Sequence, residues 1–257
     1  MQNLSVTLIQ TELYWENPIA NLAMLEEKIA QIENETDIIV LPEMFSTGFS
    51  MNTSLAEPMN LTTFKWMRQQ AAQSNAVVVG SVMIREAENV FNRMIWMQPD
   101  GQYHTYDKRH LFRMGNEHLH YRGGEKRLIV EWKGWKICPL ICYDLRFPVW
   151  SRNVAQAYDV LIYVANWPEA RAYPWKSLLV ARAIENQSYV IGVNRVGKDG
   201  NDLTFSGDSA VLNFRGEYLF TETQKEIVQT VLLSKEDITN FRTLFPAHLD
   251  ADSFIIT

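Results

Sequence analysis

The sequence predicts an α/β layered fold, and three observations carry that prediction. Apolar runs of strand length alternate with helical stripes through much of the chain; no Pro/Gly/Ser-rich stretch divides it; and the long irregular stretches follow strands that end in reactive side chains. With 257 residues, one hydrophobic core can be sustained, so residues 1–257 are expected to form a single domain.

Leu4 to Ile9 reads as a strand. Asn17-Pro18 then opens a helix, because proline is tolerated at the first helical position and Ile19, Leu22, Leu25, Ile29 and Ile32 follow at helical spacing. Asp37 to Leu41 is a buried strand, Phe64 to Ala72 a second helix, and Ala76 to Ile84 and Val90 to Gln98 are further strands. The last of these runs into the turn Pro99-Asp100-Gly101 and suggests an antiparallel hairpin.

Arg109 to Lys126 is irregular. Leu128 to Trp132 and Lys136 to Ile141 are strands joined tightly across Lys133-Gly134. Val149 to Tyr158 is expected to be helical, Val160 to Ala165 a strand, Trp175 to Asn186 a helix and Tyr189 to Asn194 a strand. Ile227 to Leu233 and a helix from Lys235 to Leu244 close the alternation. There is no internal repeat or low-complexity segment.

The charge balance, 24 basic against 30 acidic residues for a net charge of −6, is spread without runs and offers no phosphate-tracking surface, so no nucleic-acid partner is expected. The start Met1-Gln2-Asn3-Leu4-Ser5-Val6 shows no basic segment ahead of an apolar core, so no export is expected, and no segment reaches the roughly 18 apolar residues that a spanning helix needs. A cytoplasmic location without membrane association is the expectation. Two cysteines in a chain of this size need no disulfide framework, which fits a reducing compartment.

Three predicted strand ends carry chemistry: Glu43 after Ile38-Ile39-Val40-Leu41-Pro42, Lys108 after Tyr103 to Asp107, and Cys142 after Lys136 to Ile141. Each alone has an ordinary reading, as a solvated carboxylate, a surface charge and a small buried thiol. Together they are complementary: a thiol needs a base to take its proton and a cation to stabilise the charge that develops. The five histidines, His104, His110, His118, His120 and His248, include none in a recognisable cysteine-protease context.

These residues lie in Leu41-Pro42-Glu43-Met44-Phe45, Asp107-Lys108-Arg109-His110-Leu111-Phe112 and Leu140-Ile141-Cys142-Tyr143-Asp144-Leu145-Arg146-Phe147-Pro148. With Ala181-Arg182-Ala183-Ile184-Glu185-Asn186-Gln187 and Gly207-Asp208-Ser209 further on, the chain resembles the nitrilase, or carbon–nitrogen hydrolase, superfamily over nearly its whole length. Met44 to Phe49, Asn166-Trp167-Pro168 and Asn194 to Gly197 are most similar to the ω-amidase branch, which acts on 2-oxoglutaramate and related ω-amides of α-keto acids.

The resemblance implies a four-layer α-β-β-α sandwich of the nitrilase type, commonly a homodimer paired through helices beside the nucleophile. It implies Glu43 as base, Cys142 as nucleophile forming a thioester, and Lys108 with the Tyr143 backbone N–H as oxyanion donors. Glu117, which precedes Arg122-Gly123-Gly124-Glu125, matches a second family glutamate and is expected to hold Lys108. The partner implied is a small-molecule amide substrate, with no metal or organic cofactor.

Phe45 and Trp167 are candidates to wall the acyl pocket or to fill the core, and Trp175 belongs to a helix core. A substrate carboxylate suits a guanidinium; Arg171 is the candidate, whereas Arg146 reads as a structural ion-pair partner of Asp144. Cys138 is read as buried, and His118 with His120 lacks a third zinc ligand. The same Cys, Glu and Lys set also serves nitrile and N-carbamoyl hydrolysis in this superfamily, and a silent binding protein or a thiol redox sensor are rivals of another class.

Overall fold

The computed structural model describes residues 2–252 and 254. In chain order the strands of the first half are β1 (Leu4–Gln10), β2 (Ile38–Val40), β3 (Val77–Glu86), β4 (Asn89–Met97) and β5 (Tyr103–Asp107), with helices α1 (Pro18–Ala30), α2 (Thr62–Ser74) and the short α3 (Glu117–His120). The second half contains β6 (Val130–Trp132), β7 (Trp135–Ile141), α4 (Pro148–Ser151), β8 (Val160–Val164), α5 (Ala172–Asn186) and β9 (Tyr189–Val193). It continues through β10 (Val196–Lys198), β11 (Thr204–Leu212), β12 (Tyr218–Thr223), β13 (Ile227–Leu233) and α6 (Lys235–Leu244).

These strands form two sheets. One is ordered β13-β1-β2-β3-β4-β5, and the other runs β10-β11-β9-β8-β7-β6 with β12 on the free side of β11. The pairs β1–β2, β2–β3, β7–β8 and β8–β9 are parallel, so each sheet has a parallel centre whose strand ends point the same way. β13 pairs along the whole of β1, from Leu4–Leu233 to Gln10–Ile227, and returns the C-terminal part of the chain to the first sheet.

Alternation along the strands decides the layering. Leu4, Val6 and Leu8 of β1, Ile38 and Val40 of β2, Val77 and Val79 of β3, and Met94 and Trp96 of β4 face the second sheet in a shared core. The intervening Ile9, Ile39, Val78, Ile95 and Met97 turn outward onto Leu22, Leu25 and Ile29 of α1 and Phe64 and Met67 of α2. On the far side, Trp175, Leu179 and Ala183 of α5 cover the second sheet. The result is helices, sheet, sheet, helices, the four layers that the family resemblance implies.

Lys133 and Gly134 both take positive φ, 49° and 78°, between the paired Trp132 and Trp135, as a tight two-residue hairpin requires. Three expectations fail locally. The helix expected over Val149 to Tyr158 stops at Ser151. A separate 3-10 turn follows at Val154–Gln156, where Ala155 and Gln156 have positive φ.

The Asn153 side chain explains this break: it donates to Tyr158 O at 2.9 Å and accepts from Tyr158 N at 3.2 Å, giving the backbone an alternative to helical bonds. Ile19, placed on the buried stripe of α1, is 83% exposed at the helix start. Arg109 to Lys126 contains α3 within its irregular course, and β10, β11 and β12 were not foreseen. Among the described residues, no helix is long and apolar enough to cross a membrane.

Candidate active site

Six buried side chains meet beside the strand ends of the two sheets. The first sheet supplies Glu43, three residues beyond β2, Asn92 from within β4, and Lys108, the residue after β5. The second sheet supplies Cys142, directly after β7, and Asn166, two residues after β8. Glu117 joins them from the start of α3.

Local bonds hold each segment. The turn after Glu43 is pinned to β3 by Met44 N donating to Ser81 Oγ at 2.9 Å and Phe45 N to Ser81 O at 3.2 Å. Lys108 N donates to Asn92 O at 3.0 Å, and Gly124 N donates to Lys108 O at 2.9 Å. The latter approach requires glycine, since a Cβ on Gly124 would lie 2.2 Å from Asp107 O. Cys142 opens a 3-10 turn, Cys142–Arg146, with φ of 42°, and Met44 next to Glu43 has φ of 43°. Left-handed backbone at two non-glycine residues flanking the cluster is strain that the surrounding structure must hold in place.

Asp144 supplies much of that hold. Its buried carboxylate accepts from Ile141 N at 3.1 Å and Tyr106 Oη at 2.6 Å, and from His110 N at 3.1 Å, while His110 Nδ1 lies 2.8 Å away. It therefore ties the strand end before Cys142 to the loop after Lys108. Trp150 Nε1 adds a bond to Tyr106 Oη at 2.9 Å.

Within the cluster, Lys108 Nζ donates to Glu43 Oε1 at 2.8 Å and lies 3.0 Å from Glu117 Oε2. Asn92 Nδ2 donates to Glu43 Oε1 at 2.8 Å and to Glu117 Oε1 at 3.3 Å. Asn166 N donates to Glu43 Oε2 at 2.8 Å, and Phe112 N to Glu117 Oε2 at 2.6 Å. Glu43, Lys108 and Glu117 are essentially inaccessible, and Cys142 is 9% exposed.

Two carboxylates with one ammonium leave an excess negative charge that sets the electrostatics. Burial pulls the Lys108 ammonium down, yet Glu117 and Glu43 outweigh it and hold Lys108 above the ordinary lysine range. Burial, with the charge of Glu43, pushes the Glu117 carboxyl up against the pull of Lys108. Burial and then the charge of Glu43 push the Cys142 thiol well up; Lys108 opposes them. The resting thiol is thus protonated, with the Glu43 carboxylate as its neighbouring base.

Cys142 and Lys108 open into a cavity of about 340 Å³. Its walls include Phe49, Phe112, Tyr143, Arg146, Asn166, Trp167 and Arg171, and Trp15, Glu16, Asp199 and Asn201 also line it. Arg146 lies over the Trp167 ring at 4.9 Å and Arg171 over the Phe112 ring at 5.4 Å. Trp167 is fixed by Trp167 Nε1 donating to Arg171 O at 2.7 Å.

The structure thus brings Glu43, Lys108, Glu117 and Cys142 together and puts Tyr143, Trp167 and Arg171 on the cavity wall. Phe45 is a correction: it is fully buried between sheet and helix against Trp66, 5.8 Å between centroids, in space left open by Gly80. Arg146 is another, because the Asp144 carboxylate is occupied by backbone, Tyr106 and His110 while Arg146 turns to the cavity.

Trp175 is in the core beneath β9, and Cys138 shares the face of the second sheet that α5 covers, its thiol raised by burial to about 12. Among the described residues, no group of three or more His, Cys, Asp and Glu side chains is placed to hold a metal ion. Asn92 and Asn166 were missed. Asn92 shares the inward register of Met94 and Trp96, and a lone amide in an apolar register was the available signal.

Fold and site together define a two-sheet α/β protein with a thiol, a carboxylate and an ammonium buried at adjoining strand ends. Residues 5–243 match the carbon–nitrogen hydrolase family, and the chain belongs to it. The omega-amidase YafV of Escherichia coli strain K12 is 47% identical over 255 residues, 99% of each chain. The 2-oxoglutaramate amidase of Bacillus subtilis strain 168 is 32% identical over 251 residues, 96% of each. The crystal structure of XC1258 from Xanthomonas campestris, a CN-hydrolase superfamily protein with an arsenic adduct in its active site, matches with a TM-score of 0.98 at 46% identity, covering both chains completely.

Proposed function

We propose that this chain is an ω-amidase, hydrolysing the terminal amide of 2-oxoglutaramate and 2-oxosuccinamate to the dicarboxylate and ammonia through a thioester on Cys142. The observation that carries the mechanism is the Glu43 carboxylate, held by Lys108 at 2.8 Å on one oxygen and near enough to Cys142 for its charge to raise the thiol, at a cavity that Cys142 and Lys108 line. Full-length likeness to an omega-amidase and a 2-oxoglutaramate amidase supports the substrate class.

Glu43 takes the thiol proton as Sγ attacks the amide carbonyl, so no free thiolate needs to form in advance. The oxyanion of the tetrahedral intermediate is received by Lys108 and the Tyr143 N–H, donors fixed before the charge appears. Glu43 passes its proton to the leaving nitrogen, the C–N bond breaks and ammonia departs. Water, deprotonated by Glu43, then attacks the thioester; Cys142 leaves as thiolate and recovers its proton from Glu43.

Two guanidiniums that lie over ring faces in the cavity wall suit a carboxylate at the far end of the substrate. Arg171 and Arg146 take that role, with Trp167 and Phe112 as the apolar walls between them. Exposed Val149 on α4 and Tyr173 on α5 are in keeping with a homodimer through these helices, which sedimentation measures.

The test is a turnover screen read by ammonia release on 2-oxoglutaramate, 2-oxosuccinamate, glutamine, a simple nitrile and an N-carbamoyl amino acid. The two keto-acid amides should be turned over with the highest kcat/KM. A preference for the nitrile or the carbamoyl compound overturns the substrate assignment.

A further inference from the structure

Asn166 stands apart from the other polar residues of the cavity because half of its side chain has a fixed task and the other half has none. Its Nδ2 donates to Glu43 O at 2.5 Å, while its backbone N holds Glu43 Oε2 at 2.8 Å. Those contacts settle the amide orientation, since the reverse would set Oδ1 against a carbonyl oxygen. Oδ1 is therefore the remaining end, a buried acceptor with no partner among the described residues. The residue is 6% exposed and lines the cavity beside Cys142.

A buried amide oxygen without a donor is costly and calls for a partner that arrives with the ligand. The donors that a primary amide brings to this place are those of its nitrogen. That nitrogen must reach Glu43 to receive its proton, and Asn166 is bonded to Glu43 at both the main chain and the carboxylate.

We propose that Asn166 is a specificity-determining residue whose Oδ1 accepts a hydrogen bond from the leaving nitrogen, so that the site selects amides over esters of the same acid. The inference rests on the amidase reading. The amide nitrogen carries two hydrogens of its own: one is given to Oδ1, while the lone pair is aimed at the proton on Glu43. As the C–N bond breaks and that proton arrives, the nitrogen becomes a stronger donor and the bond to Oδ1 strengthens, which favours the transition state over the bound substrate. An ester oxygen has no hydrogen to offer and leaves Oδ1 unsatisfied.

The experiment compares kcat/KM for 2-oxoglutaramate and for the 5-methyl ester of 2-oxoglutarate in the wild type, Asn166→Ala and Asn166→Ser. A merely structural role, lost through the bond to Glu43 O, slows both substrates equally because both reactions use Glu43. The proposal expects the amide-to-ester ratio to fall about tenfold or more in both variants, the worth of one hydrogen bond to a group gaining charge. Asn166→Ser covers the case in which the alanine variant does not fold, and thermal unfolding checks each. A ratio unchanged within about twofold in a folded variant overturns the role of Asn166 but leaves the amidase reading standing. A wild type that releases no ammonia from any ω-amide overturns that reading itself.

Discussion

The floor of the cavity and its walls are built on opposite plans. On the floor every charged side chain is paired: Lys108 touches both glutamates, Asn92 bridges them, and backbone N–H groups of Asn166 and Phe112 take the remaining carboxylate oxygens. On the walls, among the described residues, Arg146 and Arg171 rest on aromatic faces without an ion pair. The floor holds its charges where the chemistry needs them, and the walls keep theirs available for what enters. Changes to the floor should therefore strike kcat and stability, and changes to the walls should strike KM.

The sharpest break on the floor is Lys108→Met. It leaves Glu43 and Glu117 facing each other without a cation, which should cost about 3–5 kcal/mol of stability and remove most turnover. Chemical denaturation together with ammonia release checks both parts. Retained stability would mean that Lys108 is not what holds the two carboxylates.

Next in size is Asp144→Ala, which orphans the buried donors of Ile141, Tyr106 and His110. The expected result is a lower unfolding midpoint and a fall of about 100-fold in kcat with KM little changed, since the variant misplaces Cys142 relative to Lys108. A rise in KM alone would show that Asp144 serves the walls.

On the walls, Arg171→Ala should raise KM for the keto-acid amides about 10- to 100-fold and leave kcat within about threefold, the signature of lost uniform binding. An unchanged KM removes Arg171 from the substrate.

The smallest effect is one of pH. Because burial and Glu43 raise the Cys142 thiol, the thiolate is scarce at neutral pH, and alkylation by iodoacetamide should climb with pH and show no plateau up to about pH 9. In Glu43→Gln the raising charge is gone while Lys108 remains, so the midpoint should move to lower pH. A shift upward would contradict the electrostatic account of the floor.

Sequence and structure agree best where one strong local rule operates. Apolar runs located the parallel strands, and proline after Asn17 marked the start of α1. Glu43, Lys108 and Cys142 were legible because each lies within three residues of the end of a strand that could be read. The carboxylate support was less legible: Asn92 and Asn166 have no reactive chemistry of their own and matter only through bonds across both sheets.

Asp144 illustrates the same limit. In sequence it neighbours Arg146 and invites an ion pair, yet the turn after Cys142 sends the two side chains to different places. Phe45 was ambiguous because a residue two positions from Glu43 lies near the site in sequence, whereas the pinning of that turn to Ser81 buries its ring behind the sheet. The failed helix beyond Ser151 depended on Asn153, whose side-chain bonds outweigh helix propensity.

The central claim is that Cys142 is the covalent nucleophile. Its most direct test measures ammonia release from 2-oxoglutaramate by Cys142→Ala, together with the intact mass of acid-quenched wild-type enzyme at steady state. The account predicts a loss of about 10⁴-fold or more in a variant that still folds, and any adduct mapping to Cys142 with the mass of the substrate less ammonia. Ammonia release by Cys142→Ala within about tenfold of wild type, or an acyl adduct on another residue, would contradict it.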